Sequence, residues 1–577
     1  MRHIKHETDF CVVGGGMAGM CAAIAAARHG AKVILMQDRP VLGGNASSEI
    51  RMHICGADRS DGKGLRESGI LEEIELANIY HNAMRNFSMW DMVLFSMVKR
   101  EKNIMLLLNC SCNEIEMSGN TIVSVKGWQG TSEIFHTVKA KLFADCSGDS
   151  VLAPLSGAQF RIGREARDEF GESIEPEQAD KKTMGMSCLI QAKKYDRKME
   201  YRPPEWATKL DYDYEKLLST RGANIENCTN FWWLELGGEN DSIHDTDKLR
   251  DELVALAFGV WDYIKNSGKY NADDWAIEWV GFLPGKRESR RYEGDYMLTQ
   301  NDIRDVRAFD DIVGYGGWSM DDHNPGGFQF AGKPTIFHPA PQPYNIPYRC
   351  LYSKNIENLF FAGRNISATH AAMSSTRVMG TCAILGQAVG AAAAIATKNG
   401  TTPRGVLQNH LAELQNTLLE DNCYLPSKEK KISPLTAKGR FVCDGTNSEA
   451  LTNGIERNLG DVNHFHGSRI DLVWEKPERV GQMRIVFDSE LERLDKNMPF
   501  EWGMEPYHRR MPNRLVRDFD ISVKVNGFWV LKQQVRDNHE RLVRITLDLV
   551  CESVRLDIIK TWGGENTANI FAFEAQD

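Results

Sequence analysis

Asp9–Gly19 reads DFCVVGGGMAG, and the fold follows from how this stretch is read. Asp9–Val13 is a short apolar run, followed at once by GGGMAG, Gly14 to Gly19. An Ala-rich helical stretch, Met20–Arg28, comes next, then a second apolar run, Lys32–Met36. Strand, glycine turn, helix and strand in this order predict a dinucleotide-binding unit. Gly14 permits the tight turn, Gly16 admits a pyrophosphate close to the backbone, and Gly19 lets the helix pack on the sheet. The free N–H groups at the helix start then face the phosphates. An acid is expected after the second strand to hold the adenosine ribose. Gln37 stands there with Asp38 beside it, and either can hydrogen-bond the diol.

The chain around this unit has 577 residues, enough for two to four domains. Apolar residues make up 42% and charged residues 26%, the balance of a globular protein. A net charge of -10 excludes a general nucleic-acid binder, which needs a basic face. Thirteen cysteines without a CxxC pair predict free thiols in a reducing cytosol. Cys110 and Cys112 would point the same way on a strand, packed as small hydrophobes. No signal-peptide pattern precedes the first strand, so a cytoplasmic location is expected, or an exported one if a leader has been removed. Val378–Thr397 is nearly uncharged, long enough to cross a bilayer, and carries Gly386 and Gly390 at GxxxG spacing. Ala and Gly dominate it and aromatic belts are missing, which predicts a helix buried inside a large domain.

Two more segments point to the cofactor. "RPVLGGNASSEIR" (Arg39–Arg51) follows the second strand, and "NLFFAGRNISATHAAMSSTRVMGTCAILGQAVG" (Asn358–Gly390) comes much later. Flavoproteins of the glutathione-reductase superfamily carry both. "LFFAG" reads as a buried strand ending at Gly363. Gly380–Ala383 would start a helix whose positive end stabilises negative charge on a reduced flavin. With "FADCSGDSVLA", "PGKRESRRYEGDYMLTQNDI", "GGWSMDDH" and "IPYRCL", these blocks resemble the FAD-dependent oxidoreductase family of bacteria. That family is distantly similar to the fumarate reductase and succinate dehydrogenase flavoprotein superfamily, and the resemblance runs from Asp9 to Lys398.

The resemblance implies a non-covalently bound FAD in an α/β, Rossmann-type domain interrupted by an inserted α+β substrate domain. It implies FAD contacts from Gly14, Gly16, Met17, Ala18 and Gly19, and from Gln37, Asp38 and Arg39. Gly43, Gly44, Asn45, Ser47 and Cys112 follow, then Asp145 and Gly148 in "DCSGD". Arg291, Gly363, Arg364, Gly380, Thr381 and Cys382 complete the set. The expected division is residues 1–157 and 282–425 for the FAD domain and 158–281 for the insert. Within the insert, Trp232 and Trp233 read as a sugar-stacking platform or as core aromatics. Residues 432–577 are turn-rich and short-stranded, with a hairpin at Asp518–Val535 turning on Asn526-Gly527. They predict a C-terminal β-sandwich that resembles galactose-binding-like, discoidin-type domains. His464 and His466 have metal-like composition but no matched third ligand, so they read as loop residues and no metal site is expected.

Lys286–Leu298 reads as one extended segment, with Arg287, Ser289 and Arg291 on one face and Glu288 and Arg290 on the other. Two arginines on one face suit a pyrophosphate, a carboxylate or the flavin edge. In a flavoenzyme a hydride passes between substrate carbon and flavin N5, while a protein group handles the proton. His370, between Gly363 and the flavin-facing helix, is the first choice, its ordinary pKa suiting exchange near neutrality. Arg287 and Arg377 are further catalytic candidates, and His53, Asp321, Asp322 and His323 are candidates for substrate contact. The leading expectation is oxidation of a CH–OH group, of a sugar or sugar acid. The alternatives are fumarate-reductase-like reduction of an activated C=C bond with an arginine acid, and a non-catalytic carbohydrate-binding flavoprotein. The expected partners are a small-molecule substrate and an unidentified electron acceptor, with no nucleic acid and no membrane span; a homo-oligomer is left open.

Overall fold

The computed structural model describes residues 1–57, 63–210, 218–341, 343–493 and 510–577. Strand β1 (Arg2–Val13) passes through the glycine turn into helix α1 (Met17–Arg28) and on to β2 (Val33–Met36). β3 (Ile104–Leu107), β4 (Cys110–Ser118), β5 (Thr121–Gln129) and β6 (Ile134–Asp145) complete a sheet of order β3-β2-β1-β6-β5-β4. The first four in that order are parallel, and β5 and β4 add an antiparallel edge. The late strand Leu359–Phe361 joins in parallel at the end of β6. Val13, Met36, Asp145 and Phe361 therefore end side by side, and the carboxyl ends of these strands define the crevice where such sheets bind ligands.

Helix Met379–Asn399 packs along α1. A Cβ on Gly386 would lie 2.1 Å from the Ala18 carbonyl oxygen, and one on Gly390 would lie 2.2 Å from that of Ala22. Glycine at both positions is what brings the two helix backbones into contact. This helix is long and apolar enough to cross a membrane, and 94% of its most apolar window is buried inside the protein. An apolar surface on every side suits a helix enclosed by a core.

The intervening region builds an antiparallel sheet around Met186–Lys194, flanked by Phe231–Leu236, Trp275–Val280 and Gly285–Lys286, with helix Thr246–Asn266 packed against it. The stretch after Gly285 is not one extended strand. Gly285–Lys286 belongs to this sheet, whereas Arg291–Tyr292 pairs with Phe160–Arg161. The chain turns between the two, so side-chain alternation breaks and Arg287 and Arg291 point to different places.

The C-terminal residues form a β-sandwich around a core that includes Leu472, Phe487, Val523, Leu556 and Phe573. Its long strands, Phe465–Phe487 and Leu542–Thr561, carry register breaks at which they bend. Strands Val516–Val525 and Phe528–Val535 form the hairpin across Asn526-Gly527. His466 opens a strand rather than a loop, and its Nδ1 lies 2.9 Å from Asn569 Oδ1. Buried arginines stitch the sandwich to the flavin half. Arg457 donates to the Gly64 and Arg66 carbonyls and to Ser68 Oγ, at 2.8, 3.2 and 2.6 Å. Arg484, fully buried, donates to the Glu420 carbonyl and to Glu456, and Arg541 donates to Asn422.

Candidate functional site

The gathered strand ends open into a cavity of about 550 Å³. Gly14, Gly16, Met17 and Ala18 line it from the glycine turn and α1, and Gln37, Asp38 and Arg39 from the end of β2. Gly43, Gly44 and Asn45 line it from the next loop. Cys110 and Cys112 line it from β4, pointing the same way as the alternation requires. Gly148, Gly363, Arg364 and Cys382 arrive from distant parts of the chain. Gly14 has φ 105°, and a Cβ there would meet the Cys146 carbonyl at 2.4 Å, so only glycine fits this turn. The N-terminal end of helix Met379–Asn399 reaches the wall through Val378, Met379 and Cys382.

Gln37 does not offer its amide to a ligand. Its Oε1 accepts from the Gly15 N–H at 2.7 Å, and its Nε2 donates to the Val41 carbonyl at 3.1 Å. The residue that breaks the acidic pattern thus braces the glycine turn against the following loop. Asp38 keeps a 57% exposed side chain at the rim of the cavity.

Four charged side chains meet at the middle of the cavity. Asp149 accepts from Arg364 at 2.5 Å and from Lys286 at 2.7 Å, and Arg290 donates to its carbonyl at 3.3 Å. Burial works to raise the Asp149 pKa, but Arg364 and Lys286 outweigh it and hold the carboxyl down at about 2. Three cations against one carboxylate leave a net positive surface. Arg364 Nε and Arg39 Nη1 are buried without a hydrogen-bond partner. Unspent donors, a glycine turn and a helix N-terminus fit the pyrophosphate of a dinucleotide. Burial pushes the cavity thiols Cys112 and Cys382 up to about 12, so both are neutral near pH 7.

The far end of the cavity is built from the inserted sheet and the hairpin of Met320–His323 with Thr335–His338. His323 Nδ1 lies 2.8 Å from Glu235 Oε2, and its Nε2 lies 3.2 Å from Asp321 Oδ2. Its ring stacks on Trp233 at 5.9 Å, Trp233 touches Trp232, and Trp232 meets the ring of His53 edge-on at 5.2 Å. Trp232 and Trp233 therefore wall the cavity, which the sequence left open. Arg287 donates to the Gly185 carbonyl and Ser187 Oγ at 3.1 and 2.8 Å and lies 3.6 Å from Glu235. Arg377 donates to the Asp321 carbonyl at 3.1 Å and to its carboxylate at 3.2 Å, and Arg377 Nε is buried without a partner. Burial opposes ionisation of Asp321 and Glu235, yet His323 and Arg377 hold the first, and Arg287 and His323 the second, below the usual carboxylate range. Burial also lowers the Arg287 pKa, with Glu235 opposing.

Several residues expected here stand elsewhere. Gly19, Ser47, Asp145, Arg291, Gly380 and Thr381 are not among the lining residues. Asp145 is fully buried and shapes the turn after β6, accepting from Ser147, Leu152 N–H and Tyr292. A Cβ on Gly19 would strike the Gly14 carbonyl, so its role is packing within the turn. Arg291 is held by Glu165, the Gly163 and Ala368 carbonyls and Glu288. His370 is 1% exposed behind the wall, its ring between Glu288 and Asp322. Thr369 caps a helix beginning at His370, which turns that residue into the protein. Asp322 faces His370, away from the cavity, while its neighbours Asp321 and His323 line it. Glu235, Trp318 and Phe337 were missed. Alternation along "FWWLEL" places Trp233 and Glu235 on one strand face, which was the available signal for Glu235.

A family model described as FAD dependent oxidoreductase matches residues 9–418. The fumarate reductase (cytochrome) of Shewanella frigidimarina is 45% identical over 65 residues, and the match spans 11% of this chain and 11% of that protein. A mutant of the E. coli quinol fumarate reductase flavoprotein aligns over 73% of this chain and 75% of its own, at 11% identity and a TM-score of 0.28. The family 32 carbohydrate-binding module of Streptococcus pneumoniae EndoD aligns over 24% of this chain and 88% of its own, at 19% identity and a TM-score of 0.17.

Proposed function

Because the chain belongs to the FAD-dependent oxidoreductase family, we propose that it holds FAD non-covalently and oxidises a CH–OH group of a small anionic polar substrate, a sugar acid being the class that fits. The observation that carries this reading is the far wall of the cavity, where Arg287 and Arg377 flank His323 beside the Trp232–Trp233 surface. Arg377, with its unspent Nε donor, suits a carboxylate, and an aromatic face suits a sugar ring. When bound, FAD accepts two electrons as a hydride. Glu235 fixes the Nδ1–H of His323, which leaves Nε2 to take the hydroxyl proton as Asp321 turns to Arg377. Neutral cavity thiols support a cofactor that is not bonded to the protein. Asp38 is the residue we assign to the adenosine ribose, since the Gln37 amide is engaged. The expected domain division and a cytoplasmic location, supported by thirteen unpaired cysteines, belong to the same proposal.

The second reading is reduction of an activated C=C bond, with Arg287 as the acid. The lowered pKa of that guanidinium favours it. Anaerobic titration of the yellow protein with sugar acids and with dicarboxylates separates the two. Bleaching by a sugar acid supports the first, and fumarate turnover by dithionite-reduced protein supports the second. A flavin indifferent to both panels overturns each. Acid precipitation that leaves the yellow colour in the pellet would overturn non-covalent binding.

A further inference from the structure

His370 touches two segments that meet nowhere else in sequence. Its Nδ1 lies 2.9 and 3.1 Å from the two oxygens of Glu288, and its Nε2 lies 3.3 Å from Asp322 Oδ1. Glu288 is the chain neighbour of Arg287, and Asp322 stands between Asp321 and His323. The two arms of one ring therefore reach the two segments that carry Arg287 and His323, neighbours on the far cavity wall. Closed off from the cavity and held by Glu288 at one nitrogen and Asp322 at the other, this ring donates from both, and only the imidazolium has two N–H groups.

We propose that His370 is a positioning residue, a cationic tie that holds Arg287 through Glu288 and His323 through Asp322 in fixed register on the far wall of the substrate cavity. This rests on reading that cavity as the substrate site. The ring has no lone pair free for a proton and no face on the cavity, so it does not act as the base.

Its surroundings are built to keep the ring charged and still. Glu165 accepts the His370 backbone N–H at 2.8 Å and Arg291 at 3.0 Å. Glu175 accepts the Ala371 N–H, and Glu172 accepts Thr369 Oγ1 and the Gln300 N–H. Arg291 also lies 3.4 Å from Glu288, and Arg164 and His338 act on Asp322. Burial alone would discharge the ring, but Glu288, Asp322 and Glu175 outweigh it and hold its pKa well above the usual histidine value. The Glu288 arm is further anchored by the Met184 N–H at 2.9 Å, whereas the Asp322 side chain is 22% exposed and depends more on the ring.

The test uses the full-length, FAD-loaded protein with 15N-labelled histidine, read by NMR. In the wild type one histidine keeps both ring nitrogens protonated at pH 8.5, and His370→Asn and His370→Gln both abolish that signal. An Asn amide reaches only the Nδ1 position and a Gln amide only the Nε2 position. His370→Asn therefore cuts the Asp322 arm and shifts the His323 ring resonances, while His370→Gln leaves them in place. Asp322→Asn, at a partly exposed residue, gives the same His323 shift if a His370 variant fails to fold. A neutral His370 ring at pH 8.5, or His323 resonances unmoved in both His370→Asn and Asp322→Asn, overturns the proposal. No substrate enters these measurements, so a flavin that ignores every sugar acid refutes the proposed reaction and leaves the tie to be judged by its own spectra.

Discussion

Alanine at Gly386 or Gly390 sets two effects of opposite sign against each other. Replacing a mid-helix glycine gains about 1 kcal/mol of helix propensity. The added Cβ would lie 2.1 or 2.2 Å from a backbone carbonyl oxygen of α1, whereas a comfortable C···O approach is about 3.3 Å. A carbonyl in a buried helix has no rotamer to change, so helix Met379–Asn399 must retreat by about 1 Å. A gap of that size forfeits a quarter to a half of the dispersion between facing atoms, and overpacking of this kind costs about 3 kcal/mol at the upper end. The clash wins, and each variant loses about 2 kcal/mol net. The two differ in one respect. Ala18 lines the cavity and Ala22 does not, so Gly386→Ala also weakens FAD by about tenfold, a loss of about 1.4 kcal/mol. Thermal melting followed by flavin fluorescence reads the first effect, and FAD partition by ultrafiltration reads the second. An alanine variant that melts at or above the wild-type temperature refutes the contact argument. Equal FAD loss in both variants refutes the link to Ala18.

Asp38→Ala weakens FAD by about tenfold, whereas Gln37→Glu costs about 1–2 kcal/mol of stability, because a carboxylate cannot donate to the Val41 carbonyl; FAD affinity and melting of each variant check this. Burial raises the Glu175 carboxyl from 4.5 to about 7, so its stabilising contribution is complete below pH 4.5 and is lost as pH rises through 7. His370, also raised, keeps its contribution below pH 6.5 and loses it as pH climbs through its higher folded value. Melting temperature should therefore fall from pH 5 to 7.5, and Glu175→Gln should flatten that slope, removing at most roughly 3 kcal/mol of pH-dependent stability. Arg484→Met leaves Glu456 buried without its ion-pair partner and Glu574 with Lys430 alone, and costs about 3–5 kcal/mol, read as a melting loss; a neutral result would mean those carboxyls are protonated in the wild type.

The nucleotide half was legible in the sequence because its constraints act on the backbone. A turn at φ 105° and two helices in contact need glycine at definite places, and Gly14, Gly363, Gly386 and Gly390 sit there. The far half was less legible because its side chains come from an insert whose sheet pairs residues remote in sequence. Strand alternation puts Glu235 on the face of Trp233, but that His323 and Arg287 close on it is decided by segments remote in sequence. Reading Lys286 to Leu298 as one extended segment failed at the point where the chain leaves one sheet for another, and the alternation rule lapses there. His370 was placed on the right segment and the wrong side of it. The N-cap at Thr369 starts a helix whose first N–H groups are claimed by Glu165 and Glu175, and that orientation is a tertiary fact.

Arg457, Arg484 and Arg541 spend their guanidiniums on carbonyls and carboxylates across the join rather than on water. A hinged appendage searches a volume; a riveted one marks a single point. The sandwich is held against the flavin half at one distance and one angle, so the two move as one body and not as beads on a tether.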